Sequence, residues 1–146
     1  MKIKELDLYR QIEKTGPFAN EVFYREILIS DWTQSRKRID LVSLQNHDLL
    51  AIEVKVNDWK TALQQAYSNL YVADYSYVAL WHQTIPHIDL SIFQGVGIGI
   101  LEINGSCIEK LRAKKSKLVI SNKKQYAKNQ CLLQEIDEFV GINYTS

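Results

Sequence analysis

The chain of 146 residues has the length of one domain, and a 46% hydrophobic content is enough to build a core without disulfide or metal staples. A charged fraction of 24% and a net charge of +1 exclude a long disordered chain, and no apolar run approaches the roughly 18 residues of a membrane-spanning helix. Met1-Lys2-Ile3-Lys4-Glu5 leads into charged, periodic sequence and not into the apolar stretch of a signal peptide, so one cytoplasmic domain over residues 1–146 is expected.

Ile3, Leu6, Leu8, Tyr9 and Ile12 recur near helical spacing and predict a helix over 3–14, ended by Thr15-Gly16-Pro17. β-Branched and aromatic residues over 21–29 predict a strand, and the polar stretch 31–36 a turn. Residues 38–44 and 49–56 are two strand-like runs on either side of Gln45-Asn46-His47-Asp48, which is a hairpin signature. Asn57 or Asp58 then caps a helix whose apolar stripe is Trp59, Ala62, Leu63, Ala66, Leu70 and Ala73; Trp59 heads the stripe and reads as core. The run 75–81 is too short for a helix and predicts a buried strand reached by a crossover.

Beyond it the pattern gives a short helix near 90–94, strands near 97–103 and 107–111, and a helix over about 130–140. Gly95, Gly97 and Gly99 lack the spacing of a nucleotide-binding loop and instead mark a strand approached closely by another part of the chain. Cys107 and Cys131 have no partner at metal-ligand spacing and read as buried free thiols. His82 and His87, on either side of Pro86, match no standard metal geometry. Arg36, Lys37 and Arg38 cluster before one strand, and Lys110, Arg112, Lys114, Lys115, Lys117, Lys123, Lys124 and Lys128 crowd the last third; such patches meet phosphates or remain solvated faces.

The chemistry concentrates on the hairpin. If its loop is symmetric about Asn46 and His47, then Gln45 faces Asp48, Leu44 faces Leu49, and Asp40 faces Glu53. Cross-strand partners have Cβ atoms about 4.5–5.5 Å apart, where two like charges repel, so a positive charge is expected between the carboxylates. Lys55 follows Glu53 on the same face, while Ile52, Val54 and Val56 turn into apolar packing. Carboxylate oxygens with room for water suit Mg²⁺ or Mn²⁺, which makes Asp40 and Glu53 the expected metal ligands. Lys55 is then placed to orient the attacking water or to stabilise charge on a reacting phosphorus.

Glu-x-Lys alone recurs by chance; the joint order of Arg38-Ile39-Asp40, a hairpin, Ala51-Ile52-Glu53-Val54-Lys55 and a helix bearing Gln64, Gln65, Ala66 and Asn69 is more specific. Over roughly residues 3–81 this order resembles the PD-(D/E)XK nuclease superfamily, although Ile39 stands where the motif name has proline. The resemblance implies a restriction-endonuclease-like α/β fold, with an α-β-β-β-α-β core and a mixed central sheet flanked by helices. It implies an Mg²⁺-dependent endonuclease hydrolysing phosphodiester bonds in nucleic acid, DNA above RNA, with Lys55 as the catalytic lysine. It also implies a helix glutamine beside the lysine, for which Gln65 is the candidate and Gln64 the fallback. Members often add a glutamate near the first helix or strand; among Glu5, Glu13 and Glu21, the choice falls on Glu21. A homodimer or a partner protein is the expected assembly, because two sites related by a twofold axis cut two strands simply. The alternative is a nucleic-acid-binding or assembly module on the same fold with little or no activity, and behind it an unrelated interaction domain.

Overall fold

Short alternating runs separated by tight turns give this chain strands at its edges, and longer apolar runs give it strands at its centre. The computed structural model describes residues 2–29 and 37–145, with side chains described as far as Gly141. The turn expected at 31–36, and Arg36 with it, lies outside those residues. In chain order the elements are α1 (Glu5–Lys14), β1 (Phe23–Leu28), β2 (Arg38–Gln45), β3 (Asp48–Lys55), α2 (Trp59–Asn69) and β4 (Tyr75–Trp81). A 3₁₀ segment (His82–His87), α3 (Leu90–Val96), β5 (Gly99–Ile103), β6 (Cys107–Leu111) and α4 (Ser121–Thr145) follow.

The six strands form one mixed sheet in the order β1-β2-β3-β4-β5-β6. Neighbours joined by short connections, β2 with β3 and β5 with β6, are antiparallel, as is β1 with β2. The β3–β4 and β4–β5 pairs are parallel because a helical crossover carries the chain back each time. The expected α/β architecture, a mixed sheet flanked by helices, is therefore present.

Strand alternation divides the core between the two faces. Leu50, Ile52, Val54, Tyr77, Ala79 and Leu101 pack beneath Leu8, Tyr9 and Ile12 of α1. On the other face Val78, Leu80 and Ile100 pack against Ala62 and Ala66 of α2 and Phe93 of α3, while Ala127 and Cys131 of α4 cover β1 and β2. Phe93 is fully buried, a burial that contributes about 1.5–3 kcal/mol. Trp59 packs at its side, with ring centroids 6.1 Å apart, and is half-buried, so it borders the core instead of lying within it.

Several boundaries differ from the sequence reading, most of them by one or two residues, and the ends of α2 and α4 differ by more. α2 stops at Asn69, whose carbonyl accepts the N–H groups of Val72 and Ala73, so Leu70 and Ala73 are buried in the turn and not on the helix. α4 begins at Ser121, well before residue 130, because its first turns are polar nearly all round and show no apolar stripe. Lys124 anchors that polar stretch, pairing at 2.8 Å with Asp74, whose Oδ2 also accepts the Leu49 N–H at 2.7 Å. Of the three glycines expected on a closely approached strand only Gly99 lies on one, where a Cβ would sit 2.3 Å from the Tyr77 ring; Gly95 is inside α3 with open space around it, and Gly97 ends that helix at φ 76°. Cys107 and Cys131 are free and buried, and burial pushes both thiols up to about 12. Among the described residues no helix is long and apolar enough to cross a membrane.

Candidate active site

The hairpin register is the one its loop symmetry predicts, from Gln45 opposite Asp48 to Leu41 opposite Ile52. The paired ladder then stops one step short of Asp40 and Glu53. On the other side of β2 the β1 ladder also skips this level, passing from Arg25–Leu41 to Ile27–Ile39. The skipped β1 residue is Glu26, at φ 55° in the left-handed region that non-glycine residues rarely occupy. Alternation breaks here in both strands: Tyr24 and Ile27, like Val42 and Ile39, face the same core. Asp40 thus sits where the sheet is locally opened, and its Oδ2 accepts the Val54 N–H at 2.8 Å in place of a β2 carbonyl.

Glu53 remains on the middle of the sheet and is only 2% exposed. Its Oε1 accepts a hydrogen bond from Asn69 Nδ2 at 2.9 Å, and Asp40 is within hydrogen-bonding reach. Burial, and next the charge of Asp40, hold the Glu53 carboxyl well above the ordinary carboxylate range, outweighing the Asn69 bond and the Lys55 charge. Lys55, at the end of β3, is half-buried and reaches Glu5 Oε1 on α1 at 3.7 Å. The two carboxylates and the ammonium therefore gather at one end of β3.

The bonds to Val54 and Asn69 engage one oxygen of each acid and leave further lone pairs on both carboxyls with which a cation could be held. Among the described residues no group of three or more His, Cys, Asp or Glu side chains is arranged to hold a metal ion. Two protein carboxylates fit Mg²⁺ or Mn²⁺, which keep several waters, better than an ion needing four protein ligands.

A cleft of about 240 Å³ opens beside Glu53, lined also by Gln65, Ser68, Asn69, Lys37 and Arg38. Gln65 thus shares a cleft with Glu53, a cleft that neither Asp40 nor Lys55 lines, whereas Gln64 lies on the apolar groove between α2 and α3. Glu21 is not brought there: it precedes β1, whose first residue, Phe23, pairs with Ser43 toward the hairpin turn, away from Asp40. Glu13 is spent on a two-pronged pair with Arg25. Glu5 pairs with Lys55, and Glu26 accepts the Tyr9 hydroxyl at 3.1 Å; Asp40 and Glu26 both raise the Tyr9 phenol further after its burial has done so. Three of the C-terminal lysines are paired elsewhere, Lys110 with Glu102, Lys115 with Asp48 and Lys124 with Asp74.

Asn69 was not among the expected site residues; the signal that could have found it is its place on the buried stripe of Ala62 and Ala66, where a polar side chain requires a polar partner. Glu26 gave no such signal, since its role depends on a backbone conformation that its residue type does not favour.

A scan of protein-family models finds no match to the chain, and a search of curated proteins finds none either. Among solved structures, the fold is similar to that of the SPO1766 protein of unknown function from Silicibacter pomeroyi, with a TM-score of 0.70 over 98% of this chain and 94% of that one. At 12% identity the likeness is one of fold.

Proposed function

We propose that the chain is a metal-dependent nuclease of the PD-(D/E)XK type, with a restriction-endonuclease-like core formed by α1 to β4, acting on nucleic acid and on DNA before RNA. The observation that carries this reading is that Asp40 lies within hydrogen-bonding reach of buried Glu53, with Lys55 near enough for its charge to act on the same carboxyl. Two acids forced together in low dielectric, with one held off its ordinary ionisation, have a use if a cation joins them. Mg²⁺ or Mn²⁺ bound by Asp40 and Glu53 supplies charge neutralisation of a phosphodiester oxygen and a more acidic water. Asn69 fixes the Glu53 carboxylate, and the Val54 N–H fixes that of Asp40. Lys55 leaves its loose pairing with Glu5 to hold the attacking water or a phosphoryl oxygen. The water oxygen forms the new bond to phosphorus, the bond to the leaving sugar oxygen breaks, and one water proton ends on that oxygen by way of solvent. Lys37 and Arg38 beside the Glu53 cleft give phosphates a cationic path.

The test incubates the protein with labelled single-stranded, duplex, flapped and four-way-junction DNA in Mg²⁺, Mn²⁺ or EDTA, alongside Asp40→Ala and Lys55→Ala. Cleavage that needs the ion and is lost in both variants is the expected result. Absence of cleavage on every substrate, with binding indifferent to EDTA, would move the reading to a binding module on the same fold.

A further inference from the structure

A cleft of about 650 Å³ begins where β3 ends. Val56 and Asn57, which directly follow Lys55, form one wall; Trp81, Gln83 and His87, at and beyond the end of β4, form another. Its remaining side is the entry to α1, with Lys2 at the rim. The acid on that side, Asp7, is already engaged in capping α1 through the Lys4 N–H at 3.2 Å. The frame is built: the Val56 carbonyl accepts the Trp81 N–H at 3.3 Å and the Thr84 hydroxyl at 2.9 Å. The indole of Trp81 is half-buried, packed partly on the core and braced edge-on by His82 at 4.6 Å.

The cleft falls within the roughly 300–1,000 Å³ of small-ligand sites and joins an aromatic surface to two carboxamides, an imidazole and a cation. That set matches a nucleobase, whose face stacks on an aromatic ring, whose edge exchanges donors and acceptors with amides, and which arrives with a phosphate. A base inside a duplex offers neither its face nor its pairing edge to a concave site.

We infer that this cleft is a subsite for one unpaired nucleotide adjoining the phosphate that is cut, so that the substrate is a strand with a single-stranded or flapped segment. The inference rests on the nuclease reading for what lies at Lys55, whereas the binding it asserts can be measured without cleavage.

The full chain is titrated in EDTA, by fluorescence anisotropy, with a labelled duplex bearing a single-stranded flap and with the same duplex fully paired. The flapped probe should bind at least about tenfold more tightly. Trp81→Ala should weaken its binding by about five- to a hundredfold while Trp81→Phe retains most of it, in line with the worth of one stacked base. Gln83→Glu, at an exposed rim position, sets a negative charge where the base edge and its phosphate would lie, removes no core packing, and should abolish the preference even if Trp81→Ala does not fold. Equal affinity for the two probes, or a preference untouched by Gln83→Glu, would overturn the inference. So would displacement of the flapped probe by a free mononucleotide as readily as by unlabelled strand, which would make the cleft a small-molecule pocket. Metal-dependent cleavage without flap preference would remove the subsite and leave the nuclease reading standing; flap preference without cleavage in any metal would do the reverse.

Discussion

Glu53→Gln removes a charge from the most buried acid of the site while preserving its shape. The carbonyl of the new carboxamide can still accept from Asn69 Nδ2, and its NH₂ group can donate toward Asp40, which in the wild type faces a second acid. Because burial and Asp40 raise the Glu53 carboxyl, the folded chain holds a proton that the unfolded chain has already lost above about pH 4.3. Wild-type stability is therefore fully present below that pH and declines as pH rises toward the raised folded value, by up to about 1.4 kcal/mol per pH unit. A carboxamide cannot ionise, so the variant escapes this decline. In EDTA the variant should match the wild type at about pH 4.5 and exceed it by about 1–4 kcal/mol at about pH 8, within the roughly 5 kcal/mol that this slope allows and in the range reached when buried ion pairs give way to well-packed neutral residues. Urea denaturation followed by tryptophan fluorescence measures the difference at each pH. Mg²⁺ should narrow it from the other side, stabilising the wild type by about 2.7 kcal/mol at a hundredfold excess over its Kd and leaving the variant unmoved. Parallel pH curves for the two proteins would refute the argument, because they would mean that Glu53 ionises as easily folded as unfolded.

Asn69→Ala strips the buried Glu53 oxygen of its donor and should cost about 1–3 kcal/mol by urea denaturation, with cleavage falling alongside. Gly99→Ala drives a methyl into the Tyr77 ring and toward the Ala113 N–H, and should lower stability by about 1–3 kcal/mol or more, read as a lower urea midpoint. Glu21→Ala should leave cleavage at the wild-type rate, since Glu21 stands away from Asp40, whereas Lys55→Ala should lower it by at least about a hundredfold; gel assays of product formation compare the two.

The hairpin was readable because a symmetric loop sets its own register, and alternation then dictates which side chains share a face. That reasoning brought Asp40 to Glu53 but gave them a regular ladder, and the ladder instead opens at their level. Opening it took a left-handed Glu26 and a side chain substituting for a carbonyl, neither of which leaves a mark in residue type or spacing. Glu21 was chosen by proximity to the first strand; the direction in which β1 runs decides the matter, and it carries Glu21 toward the turn. Helix α4 escaped in its first half because Lys124, its anchor to Asp74, looks in sequence like any solvent-facing lysine.

The Val54 amide gives the site a built-in spectroscopic reporter. Most amides in a central strand are held by a neighbouring backbone and change only when the sheet does; this one is held by a carboxylate at 2.8 Å. Its proton resonance and exchange rate therefore follow whatever Asp40 is doing. A ¹⁵N spectrum should show Val54 shifting upon Mg²⁺ addition, and exchanging faster with solvent in Asp40→Ala, while Ile52, inside the intact ladder, stays where it was.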